Sequence, residues 1–244
     1  MRSALVVLIA ASAFGQTSPN EYSKQFDDLW PLRDDPESMK ATEATIRDGL
    51  KTAPDDYDLL WRAARYRWWV ADGADEKLKK QLSKEGWNYA ERAQKAKRIG
   101  PQAEYYTALN IGAYSQAVGI LKALGDGLEG KFNDNLDAAL KSDPGFDRYG
   151  PHTAKGRYYW ELPWPKRDLD KSRTELKLVL AKHPEHLRAW LFLAETELKD
   201  GHPEEAKAAL DKVLGGASDY DLPEARRIKK WAAPVATQVA AALK

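Results

Sequence analysis

The spacing that most constrains this chain occurs five times. An apolar residue is followed three positions later by another apolar or small one, and five positions after that by a proline or its replacement. The sets are Ile46/Gly49/Pro54, Ala93/Ala96/Pro101, Leu136/Ala139/Pro144, Leu176/Val179/Pro184 and, without the proline, Leu210/Val213/Ser218. Residues three apart share one face of a helix, and a proline five residues on cannot extend that helix, so each set marks the packed end of a helix and its stop. A repeated helix end is the signature of stacked helical units, because one helix pair cannot bury its apolar face alone. The expectation is an all-α, right-handed helical solenoid of about four helix-turn-helix units with capping helices.

The last unit is the most regular. Trp190-x-x-Leu193-Ala194 opens one helix, Gly201-His202-Pro203 turns the chain, and Ala206, Leu210 and Val213 recur on a second helix. This unit resembles the tetratricopeptide repeat (TPR), two antiparallel helices in about 34 residues with small residues where they touch. Glu197 and Ser218 depart from that pattern, standing where the family favours tyrosine and proline.

Earlier units are longer: Pro54 to Pro101 is 47 residues, Pro101 to Pro144 is 43 and Pro144 to Pro184 is 40. The spacing at each second-helix end is constant, so the extra length is assigned between the two helices of a unit, at Ala71 to Glu76, Gly119 to Gly130 and Glu161 to Asp170. All three insertions then emerge on one edge of the solenoid. First helices begin near Trp61, Ala108 and His152, and the stretch from Leu222 to Lys244 reads as a closing helix interrupted at Pro234.

Leu60-Trp61-Arg62-x-x-Arg65, Asn110-Ile111-Gly112 and Gly156-Arg157-Tyr158-Tyr159 followed by Leu162-Pro163 resemble segments of the T-component proteins of TRAP transporters. They also resemble the regulator of microtubule dynamics family, itself built from similar repeats. The first resemblance implies a periplasmic lipoprotein that assists ligand delivery, but this sequence has no cysteine to carry an anchor.

The N-terminus carries Arg2, an apolar run from Ala4 to Ala13 and then small and polar residues, the layout of a secretory signal. The expected organisation is a signal peptide over residues 1–15, a polar, partly ordered arm over 16–36 and the TPR-like domain over 37–244. A secreted, periplasmic location follows as an expectation. The apolar run is shorter than the roughly 20 residues needed to span a bilayer, so no integral membrane segment is expected. With 38 basic and 37 acidic side chains the sequence offers no net field for nucleic acid.

Nine tryptophans and eleven tyrosines cluster at Tyr66-Arg67-Trp68-Trp69, Tyr105-Tyr106 and Tyr158-Tyr159-Trp160 with Trp164. Neighbouring rings on a helix point about 100° apart, so such runs cannot all enter one narrow stripe. By the repeat alignment Arg62, Tyr66, Trp69, Tyr106, Arg157 and Trp160 face the concave groove, with Trp164 close by. Core packing is the competing reading. Rings beside arginine suit a peptide or an organic acid, so the leading expectation is a noncatalytic exported scaffold that binds a protein or peptide partner, and the alternative is a small-molecule binding component of a transport system. A glycan-acting enzyme would rest on Glu161 between Trp160 and Trp164. His183 and His186 are three apart, but Pro184 breaks the helix that would align them, so no metal or cofactor is expected.

Overall fold

The computed structural model describes residues 17–96, 100–217 and 219–244. The signal segment and Ser218 of the fifth repeat set lie outside the described residues. Helix α1 (Pro19–Leu29) and a 3-10 turn (Trp30–Leu32) lead to α2 (Pro36–Thr52), followed by α3 (Tyr57–Asp72) and α4 (Glu76–Lys95). Next come α5 (Gln102–Val118), the short α6 (Ile120–Gly125), α7 (Leu128–Ser142), α8 (Phe146–Glu161) and α9 (Leu169–Lys182). The chain ends with α10 (Leu187–Lys199), α11 (Pro203–Gly215) and α12 (Leu222–Ala242). There is no strand among the described residues, and no helix among them is long and apolar enough to cross a membrane.

The starts of these helices are written locally. Asp35, Asp56, Asp75, Asp168 and Asp221 each accept the backbone N–H three residues on, and Ser18 forms a capping box with Glu21. Their ends follow the repeat: Ala53, Asp143 and His183 each cap a second helix one residue before its proline. The units α3–α4, α5–α7, α8–α9 and α10–α11 are the four expected, with α1–α2 stacked before them and α12 after.

Small residues let the helices approach. Gly86 on α4 faces Asn110 on α5 so closely that a Cβ would fall 2.1 Å from Asn110 Oδ1. The buried Asn110 amide donates to the carbonyls of Ala64 (3.1 Å) and Tyr106 (2.8 Å), tying α5 to α3. Gly156 on α8 plays the same part against Leu176 of α9. One core runs through Leu176, Leu187, Leu191, Leu210, Ile228 and Val239 across α9 to α12, and another through Trp87, Tyr106, Ile111, Phe132 and Leu136 across α4, α5 and α7.

Three features differ from the sequence expectations. Most of the polar arm over 16–36 is helical and packed: α1 buries Phe26, which stacks on Trp30 at 5.6 Å. Its few apolar residues fall on one face, which composition averages away. The closing helix runs unbroken through Pro234, which is exposed. Buried Ile228, Ala232, Val235 and Val239 hold both halves against the body, and the Thr237 hydroxyl donates to the Ala233 carbonyl next to the missing N–H. At the start of α8, Asp147, Arg148 and Tyr149 take left-handed angles (φ 49°, 57° and 62°), a conformation unfavourable to residues with a Cβ.

The superhelix also closes on itself. Arg33, after the N-terminal 3-10 turn, donates from Nη2 to both carboxylate oxygens of Asp221 at 2.7 and 2.6 Å. Arg226 pairs with Asp34. Arg227 on α12 donates to the Trp69 carbonyl at 2.7 Å, and Arg188 on α10 reaches Asp72 of α3 at 2.8 Å.

Candidate functional site: an interior cavity

Closure of the ring leaves a cavity of about 750 Å³ on the concave side. First helices of the units line it, as the solenoid geometry dictates. Trp68 and Asp72 come from α3, Leu109 and Ala113 from α5, Thr153 and Arg157 from α8, and Leu191 and Phe192 from α10. Tyr220, Glu224 and Trp231 complete the wall from the C-terminal segment. The connections within the units contribute to it: Gly73 and Ala74, then Ile120, Ala123 and Leu124 of α6, then Glu161 and Leu162. The first of these is no insertion, since the turn from Asp72 to Glu76 is as short as that of the last unit and α4, at 20 residues against 13 for α11, takes up the extra length.

The wall alternates rings with charge. Arg33 lies between Trp30 and Trp69, its Cζ 4.3 and 4.2 Å from the ring centroids, and Trp69 Nε1 donates to the Arg33 carbonyl at 3.2 Å. Arg188 sits among Trp68, Phe192 and Trp231 and is held by Asp72 and Glu224. Burial alone would raise the Glu224 carboxyl, but the adjoining Arg188 holds it below its ordinary value. Arg157 donates to Glu161 at 2.9 Å and to Glu195 at 2.7 Å, with its Cζ 3.9 Å from the Trp160 ring centroid. Burial nonetheless pushes Glu195 up. Arg148 pairs with Glu185 and covers Tyr220 at 3.7 Å. The remaining wall cation on α3, Arg65, lies 3.9 Å from the Trp30 ring centroid and 3.9 Å from Asp147 Oδ1. Carboxylates outnumber cations: Asp72, Asp147, Asp221, Glu129, Glu161, Glu195 and Glu224 face Arg33, Arg65, Arg148, Arg157, Arg188 and Lys79.

Of the residues aligned to the groove, Trp69 and Arg157 reach the cavity wall. Trp160 stands behind Arg157, its Nε1 donating to the Glu195 carbonyl at 3.2 Å and its ring facing Lys199. Arg62 points to α1, where Asp27 accepts at 2.9 and 2.7 Å. Tyr66 is buried and donates to the Met39 carbonyl, and Tyr106 is buried in a stack on Trp61. Trp164 is 86% exposed on the loop after α8. Thus on α3 the cavity face is Arg65, Trp68, Trp69 and Asp72, while Arg62 and Tyr66 serve packing. Arg65 to Asp72 is a seven-residue step, so those residues share a face; the sequence already contained that stripe, but not which stripe would face inward.

Glu161 also accepts from Gln116 at 2.9 Å, so its carboxylate is tied into the Arg157 network. The two histidines flanking Pro184 do not converge on one point. His183 meets Glu185, whereas buried His186 accepts the Ala189 N–H at 3.2 Å and caps α10. A group able to approach a metal does occur at Glu197, Asp200 and His202, but Arg173 already donates to both carboxylates there.

The fold and its concave cavity define a tetratricopeptide-type helical solenoid, and the TPR model matches residues 166–231. The chain belongs to the regulator of microtubule dynamics protein 1-3 family, whose model matches residues 24–167, more than half of its length. A similar solved structure is TTC0263, a thermophilic TPR protein of Thermus thermophilus, with 20% identity, 90% of this chain and 100% of that chain covered, and a TM-score of 0.66. At that identity the likeness shows the fold. YrrB, described as a TPR protein with an unusual peptide-binding site, matches at 15% identity over 88% of this chain and 94% of its own, with a TM-score of 0.44. No curated protein matches the chain.

Proposed function

We propose that this chain is a noncatalytic binding protein that receives a small organic ligand inside the closed superhelix. The observation that carries this reading is the half-open cavity of about 750 Å³, lined by rings and apolar side chains interleaved with carboxylates and cations that are largely paired with one another. That size falls within the usual small-molecule range of about 300 to 1,000 Å³. Contact between the two ends of the solenoid also limits the room for a long peptide laid along the concave face. Glu161 and Glu195 are both engaged by Arg157, which favours a structural over an acid–base role.

The test is native mass spectrometry of protein purified gently from its own source. Retained mass of a few hundred daltons, absent from Leu109→Trp, which adds bulk at the cavity wall, is the expected result. Bare protein in both samples, together with no binding by a library of small organic compounds, overturns the reading.

A second reading, a protein or peptide partner, draws on Trp164 at 86% and Leu121 at 75% exposure, both in the inserted segments. Cross-linking through a photoreactive residue at position 164 tests it. Export remains part of the proposal on the strength of the N-terminal sequence. It is tested by the mature mass, which should lack about the first 15 residues.

A further inference from the structure

We propose that Arg65 is the seat for a carboxylate on the ligand, so that the cavity selects organic acids over their neutral analogues. This deepens the binding function proposed above and rests on it.

The argument begins from an asymmetry among the wall arginines. Arg33, Arg148, Arg157 and Arg188 each donate to carboxylate oxygens. Arg65 donates no hydrogen bond to any described residue, and its nearest carboxylate oxygen, on Asp147, is 3.9 Å away, beyond hydrogen-bonding reach. A guanidinium carries five N–H donors in a planar fork, and those of Arg65 are engaged by no described protein acceptor. Trp30 covers one face of this fork at 3.9 Å. About a fifth of the side chain (20%) remains accessible, and it lies on the cavity wall. A planar carboxylate can approach the edge of such a fork with two parallel hydrogen bonds, which a point cation would not orient.

The surroundings set the ligand's charge. Carboxylates outnumber cations on the wall and the other wall arginines are committed to carboxylates, so Arg65 is the wall arginine left to receive a ligand carboxylate. The left-handed turn at residues 147–149 holds Asp147 near enough to balance the Arg65 charge without accepting a hydrogen bond from it. Apolar Leu109, Ala113 and Leu124 then offer the ligand's body a surface within the same cavity.

The experiment is isothermal titration calorimetry with phenyl-substituted straight-chain carboxylic acids, from phenylacetate to 6-phenylhexanoate, each beside its primary amide. The acid should bind about ten- to a hundredfold more tightly than the amide, the range for a hydrogen-bonded charge. Arg65→Gln should erase that preference and leave amide binding in place. Asp147→Asn should raise affinity for the acid several-fold and not for the amide, because it removes a competing anion. Asparagine also tolerates the left-handed conformation, so this second variant keeps the test decisive if the first fails to fold. Equal binding of acid and amide, or a preference that survives in Arg65→Gln, overturns the Arg65 assignment and leaves the cavity reading standing. If no compound of either series binds, the Arg65 assignment falls, and the cavity reading is decided by the mass-spectrometry and library test above.

Discussion

Replacing Asp221 by alanine should open the ring. In the native fold this carboxylate accepts two hydrogen bonds from Arg33 and also the Glu224 N–H that starts α12. Arg33 is 3% exposed and Asp221 22%, so the substitution strands a buried guanidinium. Removing one partner of a buried pair costs about 3 to 5 kcal/mol, and losing an aspartate cap about 1 kcal/mol. Arg33 keeps its bond to the Trp30 carbonyl and its two aromatic faces, which places the sum toward the lower end, about 4 kcal/mol. For a domain of this size that corresponds to roughly 8 to 16 °C in Tm. The assay is urea and thermal unfolding followed by circular dichroism and tryptophan fluorescence, with Asp56→Ala as control. Asp56 caps α3 through the Leu59 N–H at 2.9 Å but has no arginine across the ring, so its loss should cost only about 1 kcal/mol. Arg33→Met combined with Asp221→Ala should recover part of the deficit, since no charge is left stranded. Equal losses from Asp221→Ala and Asp56→Ala would refute the claim that the end-to-end ion pair holds the superhelix closed.

Three further outcomes follow from particular contacts. Gly156→Ala should destabilise by about 1 to 3 kcal/mol in thermal melts, because its Cβ would fall 2.8 Å from Leu176 Cγ and 3.3 Å from the Ser172 carbonyl oxygen. Burial pulls the His186 imidazole from 6.5 down to about 4, so the unfolded chain takes up a proton that the fold refuses. The associated stability is present above about pH 6.5 and declines as pH falls toward 4, by about 3 kcal/mol in all. Urea midpoints across that range should fall less steeply for His186→Asn, which keeps a capping acceptor without the titration. Trp164→Ala should leave unfolding within about 0.5 kcal/mol of wild type, since the ring is 86% exposed, and a larger loss in the isolated protein would show a packing role.

The legible part of this protein was local. Helix ends were marked by the repeated small residue and following proline, and the inserted segments after α5 and α8 by the lengthening of the unit, whereas the first helices begin at Tyr57, Gln102 and Phe146, ahead of the starts read from the repeat. Those signals act within a turn or two of helix and need no knowledge of distant partners. The same logic misjudged α1, whose apolar residues are too sparse to stand out, and Pro234, which neighbours on the body hold within a continuous helix.

The site was decided elsewhere. Arg65 and Arg62 both occur in the segment that carried the family resemblance, yet Arg65 reaches the cavity wall and Arg62 is drawn to Asp27 of α1, a difference set by which element packs beside each side chain. Arg33 and Asp221 are 188 residues apart, and among 38 cations and 37 anions their sequence identity singles out no pairing. The left-handed turn at residues 147–149 likewise carries no glycine to announce it. Sequence alone therefore determined the helices, their punctuation and their stacking, because those depend on short-range periodicity. Tertiary structure decided the closure, the cavity and the wall arginine that donates to no described residue, because each depends on superhelical curvature summed over every unit.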